Sequence, residues 1–366
     1  MPVVSCRVRA ALASALAFIG ALHTAACSHD DLVVPETITD KPPRGTGTFH
    51  RVTLNAGNDL FPSWITGSTE IAYSFAPSDR PSNDQCAGTI PAEGGTRRTL
   101  ACRAGAASDS IANSNWPVVG SDARFVYVWE LLKPYPATPR PDSALVYVQP
   151  LVADAAAPRV VFRFPYFIPG VDVYTSATHL GWLNRDTVVA VAVDDVLIRD
   201  CAGCAFRTVR AGRAVILLDL NSTPVLTIVS GTAGASAVTP GQTGHDFYYT
   251  ITGDSRVYHR TLLPDSTSVT RDFGTAGIAR DPQLAGNRLI AVVGGKIAYR
   301  VDPVAGAVQE DSGGPLHFVD LAAGTDSVLP DSGVSYRHPA LTAAGDRLLA
   351  EGWVAGSADL WFFRLP

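Results

Sequence analysis

Asn58-Asp59-Leu60-Phe61-Pro62-Ser63-Trp64 leads through Gly67 into Ile71-Ala72-Tyr73-Ser74-Phe75. A polar residue precedes a short apolar stretch containing Pro. A small polar turn follows, then a strand of alternating apolar residues. The phrase returns. Asp281-Pro282-Gln283-Leu284-Ala285-Gly286-Asn287 leads into Arg288-Leu289-Ile290-Ala291, and Tyr336-Arg337-His338-Pro339-Ala340-Leu341 leads through Gly345-Asp346 into Arg347-Leu348-Leu349-Ala350. A unit of about 45–60 residues that recurs along a chain marks a ring or solenoid of one supersecondary module.

Working outward from these phrases, the chain from Phe49 onward divides into short strands and turns. The first unit has Ser63 to Phe75 as its inner strands. The second begins at Asn115-Trp116-Pro117, continues through Arg124 to Trp129, and adds Ala144 to Val148 and Arg159 to Phe164. The third begins at His179-Leu180-Gly181-Trp182, followed by Val188 to Val193, Ala214 to Leu220 and Val225 to Val229. The fourth is weaker: His245 to Tyr249, Arg256 to Arg260, Ser268 to Phe273. The fifth runs from Asp281 through Lys296 to Arg300, Leu316 to Asp320 and Asp326 to Leu329. The sixth begins at His338-Pro339 and ends with Asp359 to Leu365. This last unit is one strand short, and Phe49 to Leu54 has no other partner. An all-β, six-bladed propeller is therefore expected, closed by the N-terminal strand pairing into the last blade, because an open blade would leave unpaired edge N–H and C=O groups. A seventh unit hidden in Ser230 to Phe273 is the alternative. Trp64, Trp116 and Trp182 fall at matching positions in three units and are read as packing between neighbouring blades.

The unit resembles the TolB-type, WD40-like propeller repeat, whose phrase is close to Asp-x-x-Pro-x-Trp-Ser-Pro-Asp-Gly followed by an Ile-Ala-Phe strand. Asp59, Pro62, Trp64 and the strand at Ile71 match it, with Thr66-Gly67-Ser68 in place of Pro-Asp-Gly. The Asp281 and His338 units keep the Pro and the Gly-containing turn. The similarity spans most of residues 49–366. That family includes periplasmic interaction proteins and the propeller halves of peptidases, so the resemblance implies the fold and, more loosely, a binding role.

Residues 1–26 have the features of a signal peptide: Arg7 and Arg9, an apolar run from Ala10 to Leu22, then Thr24, Ala25 and Ala26 before Cys27. The apolar run is too short to span a bilayer. The segment resembles a bacterial lipoprotein signal, which implies a lipid on Cys27. Ordinary secretion is the other reading, and both cut between Ala26 and Cys27. Residues 27–48, polar and rich in Pro and Gly, fit a flexible tether, and 49–366 form the propeller domain. Export implies an oxidising compartment. Cys86 and Cys102 lie symmetrically about Glu93-Gly94-Gly95 and are expected to bridge across a hairpin, leaving Cys201 and Cys204 to close a tight loop. No second Cys pair completes a zinc site and no βαβ pattern supports redox exchange.

The formal charge of −5 is mild and no Lys/Arg block forms a stripe, so nucleic acid is not an expected partner. Asp311-Ser312-Gly313-Gly314-Pro315-Leu316 matches the nucleophile segment of chymotrypsin-like proteases, but no Thr-Ala-Ala-His-Cys phrase supplies a base, and a Gly-Gly turn is expected there. No Gly-x-Ser-x-Gly elbow, P-loop, dinucleotide fingerprint or His-Glu-x-x-His occurs. In a propeller the loop before each innermost strand reaches the channel rim. Asn58, Asp59, Asn115, His179, Asp281, Arg337 and His338 are therefore the candidate binding residues, and their mixed signs argue against a tight single-metal cage. No metal, cofactor or catalytic residue is expected. The expectation is a monomeric, exported, lipid-anchored scaffold facing the periplasm or cell surface that binds an envelope protein or peptide. A hydrolase or lyase with its site in the channel is the alternative.

Overall fold

The computed structural model describes residues 49–365 apart from 54–56, 78–83, 103–110, 133–143, 153–156, 165, 169–170, 200–205, 223–225, 295–312, 330–333 and 355–356. These form six antiparallel sheets, five of four strands and one of five. Among the described residues, helix is limited to a 3-10 turn at Gly274–Ala276, and no helix is long and apolar enough to cross a membrane.

In blade 1 the strands run outward from the axis as Asp59–Trp64, Glu70–Phe75, Cys86–Pro91 and Arg98–Ala101. Blade 2 comprises Ile111–Val119, Arg124–Leu132, Ala144–Pro150 and Arg159–Arg163, and blade 4 Ala235–Pro240, Asp246–Ile251, Arg256–Leu262 and Asp265–Asp272. Blade 5 comprises Ile278–Ala285, Arg288–Gly294, Leu316–Asp320 and Thr325–Val328. Blade 6 holds Ser335–Leu341, Arg347–Val354 and Ser357–Arg364, and its outer strand is Phe49–Arg51, with Phe49 opposite Phe363 and Arg51 opposite Trp361. The expected closure is present. The six innermost strands contact one another in sequence, with that of blade 6 returning to blade 1.

Two sequence expectations differ. The fourth unit was missing its innermost strand, Ala235–Pro240, so its three expected strands are the outer three of blade 4, and no seventh sheet occurs among the described residues. Ser-Ala-Val-Thr has too little apolar contrast to stand out as a strand. Blade 3 is much longer than expected: Val171–Asn184, Thr187–Arg199 and Phe206–Asp219 are followed by the short outer strand Leu226–Ile228, and Tyr166–Ile168 adds a fifth strand beside Val171–Asn184. Lys296 to Arg300 lies outside the described residues, and the strand expected from Arg288 is present as Arg288–Gly294.

The core is divided. Six apolar clusters lie one in each gap between blades. Each central strand is therefore buried on both faces, which explains runs such as Phe125-Val126-Tyr127-Val128. Phe125 and Tyr127 pack towards blade 1, Val126 and Val128 towards blade 3, and all four are fully buried. Burying a side chain of this size contributes roughly 1.5–3 kcal/mol. Trp64 and Trp182 serve as expected between blades. Trp64 Nε1 donates to Ala340 O of blade 6 at 2.8 Å, and Arg124 of blade 2 stacks over Trp182 at 5.2 Å. The Cys86–Cys102 disulfide is formed across the outer hairpin of blade 1. Cys27, Cys201, Cys204 and Ser312 lie outside the described residues, while Gly314 bridges to Tyr336 between blades 5 and 6.

Candidate functional site in the central channel

In this architecture the edge of each sheet faces the channel, and the pleat sends side chains into the gaps on either side. A regular innermost strand thus offers the channel little but backbone. The sequence breaks that regularity at one point in five blades. Phe61, Trp116, His179, Asp281 and His338 adopt left-handed backbone, with φ of 56°, 55°, 56°, 46° and 42°. Each falls in a register shift of its strand, between Leu60 and Ser63, Asn115 and Val118, Thr178 and Gly181, Arg280 and Gln283, and Arg337 and Ala340. A bulge re-aims a side chain, and here it turns five of them together. Four are followed by Pro, which a strand tolerates at an edge or a bulge because its missing N–H removes no ladder bond there.

The five side chains form the floor of a cavity of about 240 Å³. Its walls are the remainder of the innermost strands, including Trp64, Val119, Trp182, Pro240 and Leu341, so it opens towards the C-terminal ends of those strands. Gly181 lets blade 3 approach blade 4: a Cβ there would lie 2.4 Å from Pro240.

Half of the floor is aromatic. Phe61 stacks on Trp116 with centroids 3.9 Å apart, and Trp116 packs 4.3 Å from the His179 ring and edge-on to His338 at 4.8 Å. Trp116 packs in the apolar cluster between blades 2 and 3, as expected, and also reaches the cavity floor. It does not match Trp64 and Trp182 in register: it holds the position of Phe61 and His179, three residues before theirs, where blade 2 has Val119.

The other half is ionic. His179 Nε2 lies 2.8 Å from Asp281 Oδ1, and the His338 backbone N–H donates to Asp281 Oδ2 at 3.1 Å. His338 Nδ1 meets Glu351 Oε1 at 2.6 Å, and the same oxygen accepts the Phe61 N–H at 2.6 Å. Trp353 Nε1 donates to Glu351 Oε2 at 3.2 Å. Burial works against the charged form of His338, but the carboxylates of Glu351 and Asp281 overcome it and raise its pKa. Burial likewise opposes ionisation of Asp281, yet His338, His179 and the backbone N–H hold it far below the usual carboxylate range.

Of the seven candidate residues, the structure brings together His179, Asp281 and His338. The other four do not line the cavity. Asn115 and Arg337 immediately precede the bulge and still follow the pleat. Asn115 Nδ2 donates to the buried Glu130 at 2.8 Å, and the Arg337 guanidinium lies 4.5 Å from the Trp353 ring centre. Asn58 accepts the Ala358 N–H at 3.1 Å, and Asp59 is fully buried at the start of its strand, opposite Phe75. Phe61, Trp116 and Glu351 are site residues that sequence reasoning missed. The aromatic-Pro pairs at 61–62 and 116–117, in register with Asp281-Pro282 and His338-Pro339, were the available sign. Glu351 sits in an apolar strand and only its cross-strand place opposite Arg337 reveals it.

No protein-family model matches the chain, and no curated protein matches its sequence. Solved structures are similar in shape. TolB from Acinetobacter baumannii superposes with a TM-score of 0.50 at 13% identity, over 81% of this chain and 64% of that one, so the chain spans less than two thirds of that protein's length. A putative TolB from Agrobacterium tumefaciens gives 0.48 at 13% identity, covering 87% and 97% of the two chains. An oligogalacturonate lyase from Vibrio parahaemolyticus gives 0.47 at 11% identity, covering 89% and 99%. At such identities the likeness concerns architecture, and by architecture the chain is a six-bladed β-propeller similar in fold to TolB.

Proposed function

We propose that the chain is an exported binding scaffold of the bacterial cell envelope, tethered by a lipid on Cys27, whose channel cavity receives part of an envelope protein or peptide. One observation carries the binding role: five left-handed residues converge on one cavity floor. Such backbone costs roughly 1–3 kcal/mol per residue, and for bulky Phe and Trp it is a true outlier. A ring of blades does not need it, since the innermost strand of blade 4 keeps its register at Thr239-Pro240 without it. Strain gathered at one concave point supports a site shaped for a ligand. The Cys86–Cys102 disulfide supports the oxidising compartment.

The hydrolase or lyase alternative draws on the His179, Asp281, His338 and Glu351 group. A covalent hydrolase needs a hydroxyl or thiol poised on the base. The hydroxyl that meets His179 is Thr178 Oγ1, from a residue that is 1% exposed and does not line the cavity. This bears on a covalent hydrolase only; the binding reading rests on the cavity floor itself.

The test is affinity recovery from envelope extracts with the wild type, Phe61→Ala and, as a control on the outer face of blade 4, Val269→Ala. One partner recovered by the wild type and the control but lost with Phe61→Ala is expected, with a cooperative melt showing that the variant stays folded. Equal recovery by all three refutes a channel site. Cys27→Ala is expected to release the protein from the membrane fraction, and retention there refutes the lipid tether.

A further inference from the structure

We propose that His179, Asp281 and His338 form the binding site of a divalent transition-metal cation at the floor of the cavity, with coordination positions left open towards it. The inference rests on the binding role of this same cavity and adds a cation to it.

Three donor atoms, one from each residue, all lie within 4.8 Å of one another. Two imidazoles and one carboxylate suit Zn²⁺, Co²⁺, Mn²⁺ or Fe²⁺ rather than Mg²⁺ or Ca²⁺, which prefer oxygen alone. Donors held about 2.1 Å from a tetrahedral cation stand about 3.4 Å apart. His179 Nε2 lies 2.8 Å from Asp281 Oδ1 and His338 Nε2 4.0 Å from Asp281 Oδ2, so the two imidazoles sit on opposite oxygens of one carboxylate. Bringing one donor of each residue from within 4.8 Å to about 3.4 Å takes shifts of up to roughly 1.4 Å, which rotation of the rings and the carboxylate supplies.

The surrounding groups are what distinguish this from an ordinary buried ion pair. A metal-ligating His characteristically donates its other ring N–H to a carboxylate or similar acceptor, which fixes the tautomer and aims the lone pair. His338 does so: Nδ1 is held by Glu351 at 2.6 Å, leaving Nε2 directed at Asp281. Glu351 is itself fully buried and fastened by the Phe61 N–H and Trp353 Nε1. His179 Nδ1 meets Thr178 Oγ1 at 3.0 Å, and a hydroxyl serves equally as donor or acceptor. That ring can therefore give its Nε2–H to Asp281 when no cation is present, or carry its proton on Nδ1 and offer Nε2 to the metal. Asp281 cannot swing away, because the His338 N–H grips its Oδ2. Finally, all three residues come from separate blades, 3, 5 and 6, and each is presented by the same left-handed bulge. The set supplies three protein ligands, and the rest of the coordination sphere faces the cavity, as at metal sites that bind an exchangeable ligand.

The experiment uses the full chain without a polyhistidine tag, stripped with chelator and then dialysed against Zn²⁺, Co²⁺, Mn²⁺, Mg²⁺ or Ca²⁺, with bound metal counted by mass spectrometry. One equivalent of Zn²⁺ or Co²⁺ is expected, with Mg²⁺ and Ca²⁺ excluded at the same concentration, and the ligand-field absorption of the Co²⁺ form is expected to report nitrogen donors. His338→Ala and Asp281→Asn are expected to weaken binding at least tenfold. Glu351→Gln, which keeps all three ligands, is expected to weaken it about 10–100-fold. His259→Ala, at a His–Asp contact outside the channel, is expected to leave it unchanged. Absence of stoichiometric binding by the folded wild type overturns the proposal whatever the variants do, as does equal binding by folded His338→Ala. Partner recovery that depends on Phe61 but withstands chelator sinks the cation alone and leaves the binding role standing.

Discussion

Removing Arg51 tests whether the ring is closed by its N-terminal strand. Arg51 Nη2 donates to Asp359 Oδ2 at 2.6 Å and its Nε to Thr53 O at 3.0 Å. The two charged side chains are only 13% and 6% exposed, so water screens them little. The contact ties the closing strand to a strand 308 residues away in sequence. Breaking a buried pair by removing one partner costs about 3–5 kcal/mol, because a desolvated carboxylate stays behind. Near the melting point the unfolding entropy is about 2.1 cal/mol/K per residue, so a domain of roughly 300 residues loses about 1.6 °C per kcal/mol. Arg51→Ala is thus expected to lower the melting temperature by about 5–8 °C. The assay is calorimetry with Arg51→Ala, Asp359→Asn and the double variant. The double variant is expected to lose less than the sum of the singles, since the second change removes a charge already stranded. Single variants within 1 °C of wild type, or strict additivity, would refute the closure.

Two further outcomes follow from particular contacts. The Cys86–Cys102 bridge spans 16 residues, which in the chain-entropy account contributes about 3 kcal/mol; Cys102→Ser, or reductant added to the wild type, is expected to lower the melting temperature by roughly 5 °C, and an unchanged melt with free thiols counted would contradict it. Asp246 is buried, opposing its charge, but the Thr243 hydroxyl, the Thr243 N–H at 2.8 Å and His259 Nε2 at 3.0 Å hold its pKa below the normal value. A carboxyl lowered by folding contributes stability that is complete above the unfolded value near 4 and disappears as pH falls through the folded value. Melting temperature against pH should therefore fall less steeply on the acid side for Asp246→Asn than for the wild type; parallel curves would show that this carboxylate plays no part.

The ring was legible because its physics is local and repeated. Alternation in Ile71 to Phe75, two-faced burial in Phe125 to Val128 and an orphan strand at Phe49 each state the same architecture. Blade 4 was partly hidden, since Ala235–Pro240 carries small and polar residues whose burial comes from neighbouring blades rather than from its own pattern. The extra length of blade 3 was hidden too, because charged residues such as Asp194 and Asp195 interrupt the apolar run while the backbone continues as strand. At the site, the polar residues of the repeat phrase were visible but their directions were not. Asn115 and Trp116 are neighbours in sequence, yet Asn115 stays inside the blade gap on Glu130 while the Trp116 ring reaches from that gap to the cavity floor, and the left-handed φ at Trp116 makes the difference. Mixed charge, which argued against a metal cage, sorts itself once Arg337 turns to Trp353 and leaves two His and two carboxylates behind.

The pairing of Phe49 with Phe363 also fixes an orientation. Phe363 stands near the end of its strand, level with Leu348 and so with Leu341, which belongs to the cavity wall. The polypeptide thus enters the propeller on the side where the cavity opens. If Cys27 carries the proposed lipid, the proposed tether 27–48 joins the domain on that side and limits how far that face stands from the bilayer, without fixing which way it points.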